Sequence, residues 1–155
     1  MKLARRAFAT SLALAVSGLL TGALAQSAAD KITVYKTLGC GCCIKWVEHL
    51  RAAGFEVEAL DSRNLVAERK RLGVPSKLAG CHTAAVAGYA IEGHVPAEQI
   101  KRLLQDKPNA AGLSVPGMPI GSPGMEGPGG HDYDVLIFDR AGNTSVYATA
   151  KSLSN

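Results

Sequence analysis

Three of the four cysteines of the chain lie within four consecutive residues. The stretch T-L-G-C-G-C-C-I-K-W, residues 37–46, contains Cys40, Cys42 and Cys43, and the fourth cysteine is Cys81. Cys40 and Cys43 form a C-x-x-C pair, which suits a redox couple, a structural disulfide or part of a metal site. Cys42 favours the metal site. A simple dithiol exchanger does not need a third thiol, whereas thiolates bind Cu(I) or zinc and can bridge two metal ions.

The C-x-x-C pair lies where a strand is expected to turn into a helix. Residues 31–37 (K-I-T-V-Y-K-T) alternate and contain β-branched and aromatic residues, which is typical of a strand. Apolar residues then recur every three or four positions, which predicts a helix that begins near Cys40 and stops at Gly54. The N–H groups and dipole of a helix start stabilise negative charge, so we expect reactive thiols there, whether for redox chemistry or for metal binding.

The remaining pattern indicates an α/β (α+β) fold of the thioredoxin-like type. A second strand is predicted over residues 55–60, followed by a short helix that Asn64 could cap. Residues 83–91 predict two short strands that turn near Gly88. Another helix is expected at Pro96, a residue that a first helical turn tolerates. The order β-α-β-α-β-β-α predicts a central mixed sheet, parallel at its first strands and antiparallel in the later pair.

Cys81 and His82 are expected to join the first cluster through the fold. They immediately precede the strand predicted at 83–87, and in a thioredoxin-like fold the loop entering this strand packs against the helix start that bears C-x-x-C. Both residues are therefore candidate metal ligands. The alternative is a long-range structural disulfide from Cys81 to one of the other three cysteines.

Five further residues are weaker candidates or are assigned other roles. Met118 and Met125 offer thioethers, which are soft ligands for Cu(I), although a Met in a loop can equally anchor it to an apolar surface. His131 is a third weak candidate. We expect His49 to be exposed or half-buried, and His94 to help cap the helix that follows it.

A Gly/Pro-rich segment, residues 112–130, interrupts the regular pattern. Seven glycines and four prolines fill its 19 positions, which predicts a functional loop or a flexible linker. Residues 133–139 and 144–149 flank R-A-G-N and predict a C-terminal β-hairpin, 133–149, appended to the main sheet. We therefore expect residues 26–155 to form one domain.

The first 25 residues are typical of a secretory signal peptide. Lys2, Arg5 and Arg6 precede an apolar run, and A-L-A at 23–25 is a small-residue cleavage site. The run is shorter than the roughly 20 residues that a membrane-spanning helix needs. We expect removal of residues 1–25 on export to the periplasm, by the general secretory route or, given the paired arginines, by the twin-arginine route.

The charge of the chain gives no reason to expect nucleic acid as a partner. The formal net charge is +4, but three of the 17 basic residues belong to residues 1–25, which leaves 14 basic against 13 acidic residues. A nearly neutral mature chain is not expected to bind nucleic acid or, after signal cleavage, a membrane. No nucleotide-binding glycine motif, EF-hand loop or serine-centred hydrolase motif is present in the sequence, and Glu92 is interpreted as part of a surface pair.

Four segments occur in a fixed order along the chain. They are C-G-C-C-I-K-W-V-E-H-L-R-A-A-G-F (40–55), G-V-P-S-K-L-A-G-C-H-T-A (73–84), G-Y-A-I-E-G-H-V-P-A (88–97) and V-P-G-M-P-I-G-S-P-G-M-E (115–126). Residues 31–130, which contain them, resemble the CopG-type periplasmic copper-resistance proteins. The resemblance implies an exported thioredoxin-like domain that handles copper, with a multinuclear copper–thiolate site. The positions that match the family pattern are Cys40, Cys42, Cys43, Cys81 and His82.

Three functions follow from these patterns. The first is an exported copper-binding protein of copper resistance or homeostasis, with Cu(I) or Cu(II) as its metal and a redox role open to it. Zinc is the alternative metal, and the expected partners are copper ions and other periplasmic copper-handling proteins. The second is a thiol–disulfide oxidoreductase in which Cys40 attacks and Cys43 resolves. The third is an adaptor held together by zinc or by a disulfide.

Overall fold

A seven-stranded sheet carries the fold. The structure is a computed structural model that describes residues 31–153, so the predicted signal segment lies outside the described residues. Within the described range, no helix is long and apolar enough to cross a bilayer. The strands are Lys31–Lys36 (β1), Glu56–Asp61 (β2), His82–Val86 (β3), Tyr89–Gly93 (β4), Gly112–Val115 (β5), Tyr133–Phe138 (β6) and Thr144–Ala150 (β7).

The first four strands confirm the thioredoxin-like arrangement. β1 pairs in parallel with β2 and antiparallel with β3, and β3 pairs antiparallel with β4. The strand order of the whole sheet is β2-β1-β3-β4-β5-β6-β7. Its helices are Gly41–Ala52 (α1), Leu65–Leu72 (α2) and Ala97–Asp106 (α3), with a 3₁₀ turn at Ser76–Leu78.

The helices α1 and α2 begin and end at or next to the residues that the sequence predicted as their start and stop. Cys40 is the N-cap residue of α1, and Gly54 adopts a positive φ of 93° just after the helix ends. The Asn64 side chain accepts a hydrogen bond from the Ala67 N–H at 3.0 Å, so Asn64 caps α2 as predicted. Gly73 ends α2 in the left-handed conformation, where a residue without a Cβ is favoured.

The segment predicted as a loop over residues 112–130 is a strand over its first four residues. β5 pairs in parallel with β4 and antiparallel with β6, and all four of its residues are buried. A Cβ added at Gly112 would overlap the carbonyl oxygen of Ala90 and lie 2.9 Å from Cζ of Phe138. The glycine is therefore required by close strand packing, and the irregular segment extends over residues 116–132, which we call the Gly/Pro loop.

The C-terminal hairpin is confirmed and continues the same sheet. β6 and β7 pair antiparallel, and β6 joins the hairpin to the sheet through β5. The Asp139 carboxylate accepts hydrogen bonds from the N–H groups of Ala141 and Asn143, each at 2.9 Å, and these bonds stabilise the turn.

Two clusters of buried residues lie on opposite faces of the sheet. Ile91 belongs to the larger cluster, which includes side chains of α1 and α3, whereas its neighbour Ala90 belongs to the smaller one beside Val74 and Leu78. Successive side chains of a strand point to opposite faces. The helix that begins at Cys40 therefore packs on the face of the larger cluster, with Trp46 fully buried in it.

We predict that Gly112→Ala lowers the free energy of unfolding by about 3 kcal/mol, because the added methyl group overlaps the backbone of β4. The matched control is Gly127→Ala in the Gly/Pro loop. Among the described residues its Cβ would meet only Ile120, at 3.7 Å, so we expect a change within about 0.5 kcal/mol. Chemical denaturation of both variants measures the difference. Equal stability of the two variants would contradict the placement of β5.

Candidate metal centre

The first cysteine cluster lies at the start of α1. Cys40 is the N-cap residue, Cys42 and Cys43 lie in the first turn, and no side chain caps the helix. Cys40 and Cys43 form a disulfide, while Cys42 is a free thiol. Cys43 is buried, and Cys40 and Cys42 are half-buried. The uncapped N–H groups of the first turn favour negative charge on these sulfurs whenever they are reduced.

Cys81, the fourth cysteine, lies against the first cluster, as predicted. Its Sγ is 3.4 Å from Sγ of Cys43 and 3.7 Å from Sγ of Cys42. Sγ of Cys42 is in turn 3.5 Å from Sγ of Cys40. The four sulfur atoms lie within 4.8 Å of one another, a spacing that allows them to hold a metal ion together.

His82 presents one ring nitrogen to Cys81. Its Nδ1 is 3.4 Å from Sγ of Cys81, and its Nε2 is 3.0 Å from the carbonyl oxygen of Gly93. A carbonyl can only accept, so Nε2 carries the hydrogen and Nδ1 keeps its lone pair. The Trp46 ring packs on the imidazole with ring centroids 4.3 Å apart, which holds its orientation.

His94 presents a second ring nitrogen to the same sulfur, which the sequence did not predict. Its Nε2 is 3.3 Å from Sγ of Cys81, and its Nδ1–H donates to the carbonyl oxygen of Pro123 at 2.7 Å. The predicted capping role of His94 is wrong. His49, which is half-buried as predicted, contacts the start of α3 instead, where its Nε2 accepts from the Ala97 N–H at 3.1 Å.

The two histidines and Cys81 form a second group of possible ligands. Their ligand atoms also lie within 4.8 Å of one another. Burial lowers the pKa of His82 to about 3 and lowers the pKa of His94, so both imidazoles are neutral at physiological pH, the form that binds metals. Burial raises the pKa of Cys81 to about 12, so a metal must displace its proton to bind there.

The Gly/Pro loop packs directly on this group. Gly124 has a positive φ of 87°, and a Cβ added to it would lie 2.6 Å from the carbonyl oxygen of Cys42 and 3.0 Å from the backbone nitrogen of Trp46. The loop therefore touches the first turn of α1 at the same place where Pro123 accepts from His94. Each histidine is fixed by a backbone carbonyl that lies outside the set of possible ligands.

The weaker candidates lie in or beside the Gly/Pro loop. The Met118 side chain is exposed, and Met125 is half-buried. His131 is exposed and belongs to neither group of possible ligands found among residues 31–153. Copper ligation by Met118 or Met125 stays a prediction, and His131 is not brought to the cluster.

The interpretation of Glu92 as a surface acid is wrong. Glu92 is fully buried, and its carboxylate accepts a hydrogen bond from Arg69 at 2.9 Å and another from the Gly80 N–H at 2.6 Å. Burial raises the pKa of Glu92, and these two donors oppose the rise. The only sequence feature that could have located this residue is an acid inside the apolar run Y-A-I-E-G.

Two solved structures of the copper resistance protein CopG, form 2 and form 1, are similar to this chain. Each is 41% identical to it and covers 79% of this chain and 98% of its own, with TM-scores of 0.74 and 0.73. The chain belongs to the CopG family. The family model described as "Protein of unknown function, DUF411" matches residues 78–125. No curated protein matches the sequence.

The DUF411 match covers one side of the cluster of this CopG-family chain. Residues 78–125 include Cys81, His82, His94 and the part of the Gly/Pro loop that contacts His94. The other side of the cluster, the C-x-C-C start of α1, comes from outside that range. The CopG relatives cover 79% of the chain, and their similarity to it supports the mixed α/β fold as well as the family.

We predict that Gly124→Ala frees His94 from its single tautomer. The added Cβ collides with the carbonyl of Cys42, so the loop must move away from α1, and His94 Nδ1 loses its bond to Pro123. In reduced, metal-free protein, ¹⁵N NMR of the imidazole should change from one tautomer to a mixture. Gly129→Ala is the matched control, because Gly129 also has a positive φ but nothing lies within 4 Å of its added Cβ. A single unchanged tautomer in Gly124→Ala would show that the loop does not fix His94.

Proposed function

We propose that this protein is an exported copper-binding protein of copper resistance that holds more than one copper ion in its Cys/His cluster. The observation that carries the proposal is the position of Cys81, whose sulfur belongs to both groups of possible ligands. Four sulfur atoms lie on one side of the site and two neutral imidazoles lie on the other. The family supports copper as the metal, because the similar solved structures are of copper resistance proteins.

The number of donors favours a multinuclear site. The two groups together supply six possible ligand atoms, from Cys40, Cys42, Cys43, Cys81, His82 and His94. A thiolate–imidazole site for one ion commonly uses four ligands. Six donors, one of them the shared Cys81 sulfur, exceed that number, so Cys81 would bridge two metal positions. Thiolate sulfur suits Cu(I), and imidazole is compatible with both copper oxidation states.

The cysteine pair of α1 links copper binding to redox state. Cys40 and Cys43 cannot both be thiolate ligands while they form a disulfide. Two electrons and two protons from an external thiol reductant would convert the disulfide to two thiols and open the full donor set. In the opposite direction, the two thiols would release two protons, give one electron each to two Cu(II) ions, and form the disulfide and two Cu(I) ions.

Export to the periplasm is part of the proposal and rests on the sequence of residues 1–25. An exported copper protein would exchange copper with other periplasmic copper-handling proteins. Sequencing of the mature N-terminus from the periplasmic fraction tests export, and a first residue of Gln26 is the expected result.

We predict that Cys81→Ser removes copper more completely than Cys42→Ser. Reduced wild-type protein should take up more than one Cu(I) per chain in competition with a chelator. Cys81→Ser removes the sulfur shared by both groups, so the affinity should fall by tenfold or more, on the order of the effect of losing a key metal-site residue. Cys42→Ser is the matched control, since it removes a thiol from one group and leaves the Cys81, His82 and His94 group intact.

Three outcomes contradict parts of this proposal. If reduced wild-type protein takes up no Cu(I) against the chelator, the copper function is wrong. Full copper retention in Cys81→Ser would remove Cys81 from the site. Equal selectivity for zinc and copper would favour a zinc-stapled adaptor, which should also unfold when a chelator is added.

A thiol–disulfide oxidoreductase is the second candidate, because the structure contains a Cys40–Cys43 disulfide at a helix start. This function predicts reduction of insulin disulfides that is lost in Cys40→Ser and kept in Cys81→Ser. We expect the opposite order for copper binding, in which Cys81→Ser is the more damaging change. The two assays on the same two variants separate the functions.

A further inference from the structure

Cys81 reaches the cluster from a segment without regular secondary structure. The 3₁₀ turn ends at Leu78, the Ala79 N–H still donates to the Ser76 carbonyl at 3.2 Å, and β3 begins at His82, so Gly80 and Cys81 belong to neither element. The sulfur of Cys81 nevertheless keeps contacts of 3.3–3.7 Å with two other cysteines and two imidazoles. Something other than secondary structure must hold the backbone at this point.

The residue before Cys81 is held at both of its backbone polar groups. The Gly80 N–H donates to Oε1 of Glu92 at 2.6 Å, and the Gly80 carbonyl accepts from Nη2 of Arg69 at 2.6 Å. Nε of Arg69 donates to the same Glu92 oxygen at 2.9 Å. Arg69, Glu92 and Gly80 therefore form a closed set of three hydrogen bonds, which we call the Gly80 clamp.

The clamp is buried, which makes its geometry specific. The Glu92 side chain is fully buried, and the Arg69 side chain is only 11% exposed. Both charged groups are removed from water, and this costs free energy. A buried ion pair therefore adds little to the stability of the fold compared with apolar residues of the same size. The planar guanidinium donates from two different N–H groups at fixed angles, one to Glu92 and one to the Gly80 carbonyl. It therefore fixes the position of Gly80 relative to Glu92 and also balances the charge of Glu92.

The space around Gly80 leaves the backbone little freedom. A Cβ added at Gly80 would lie 3.3 Å from Cα of Gly93 and 3.4 Å from Oε1 of Glu92. Gly93 also provides the carbonyl that fixes His82. The end of β4 thus holds the segment before Cys81, and it also orients an imidazole that faces the Cys81 sulfur.

We propose that Arg69 and Glu92 are positioning residues that hold Gly80 and thereby fix the Cys81 thiol against the other sulfurs and the two histidines. Neither residue contacts a sulfur of the cluster in the hydrogen bonds described, so they act through the backbone of Gly80. That this position of Cys81 matters for copper binding rests on the proposed function. The hydrogen bonds that set the position do not depend on that function, because they are present in metal-free protein.

The test uses Arg69→Lys and Glu92→Gln in the full mature chain. Lysine keeps the positive charge beside Glu92 but cannot donate to Glu92 and the Gly80 carbonyl with the geometry of a guanidinium. Glutamine keeps an acceptor for the Gly80 N–H but removes the negative charge that pairs with Arg69. In reduced, metal-free protein, mass spectrometry measures the alkylation rate of Cys81 relative to Cys40, which is half-buried like Cys81 and is an internal reference in the same molecule.

Matched controls come from the same helix. Glu68 and Arg71 form an exposed pair on α2, with the Arg71 side chain 55% exposed, and these hydrogen bonds do not include Gly80. Arg71→Lys and Glu68→Gln therefore make the same chemical changes one turn or less from the clamp. General loosening of the fold raises the alkylation of both cysteines, so the ratio separates loosening of the Cys81 segment from loosening of the whole fold. Glu92→Gln also removes a negative charge that helps to raise the pKa of Cys81, so Arg69→Lys, which keeps its charge, is the deciding variant.

We expect the Cys81 to Cys40 ratio of alkylation rates to rise severalfold in both clamp variants and to stay at the wild-type value in both controls. Cu(I) affinity should fall by about tenfold in the clamp variants, as is common when residues that support metal ligands are changed. An unchanged ratio in folded Arg69→Lys overturns the proposal, and that variant decides the matter if Glu92→Gln does not fold. If wild-type protein binds no Cu(I), the proposed function fails, whereas the alkylation ratio still tests the clamp.

Discussion

The contact between the Cys81 sulfur and two buried imidazoles is the constraint on which the rest of the site depends. Each imidazole donates a hydrogen bond from one ring nitrogen to a backbone carbonyl, His82 to that of Gly93 and His94 to that of Pro123. The other nitrogen of each ring then has a lone pair and faces Cys81. Because burial lowers the pKa of both rings, protons do not compete for those lone pairs at physiological pH. Cys81, His82 and His94 are therefore already arranged in metal-free protein, which would reduce the cost of ordering these ligands if a metal binds.

Regular elements carry the donors of this site, and irregular segments bring them into contact. The cysteines of α1 and the histidine of β3 occupy the ends of elements that the larger buried cluster holds in place. Cys81 and Pro123 come instead from segments outside the helices and strands. The three hydrogen bonds of the Gly80 clamp hold the first segment. Hydrogen bonds within the loop hold the second, together with the Pro123–His94 bond and a close approach of Gly124 to α1 that only a glycine permits. The precision of the centre therefore depends on a few buried polar contacts in addition to apolar packing.

The sequence predicted the local elements better than the contacts between them. The helix start at Cys40 and the cap at Asn64 are set by neighbouring residues, so periodicity and residue type suffice to locate them. β5 was missed because four residues beginning at Gly112 are too few for a strand pattern and merge with the glycines and prolines that follow. Glu92 and His94 were assigned to the surface and to a helix cap because their partners lie 23 and 29 residues away along the chain. No local pattern reports such partners, although the resemblance to CopG-type proteins included both residues.

The same contacts bear on the choice between metal binding and disulfide exchange. Attack on a disulfide requires a thiolate, and burial keeps Cys81 protonated, so this sulfur is a poor nucleophile although it lies 3.4 Å from Sγ of Cys43. Exchange at Cys40 and Cys43 therefore gains nothing from the Cys81 thiol. A soft metal ion changes that balance, because its charge displaces the proton and then shares the sulfur with neighbouring donors. A third thiol at Cys42 and two neutral imidazoles add nothing to an exchange reaction, but each adds a ligand to a metal site. The arrangement that makes Cys81 a weak redox nucleophile is therefore consistent with the metal-bridging role that we propose for it.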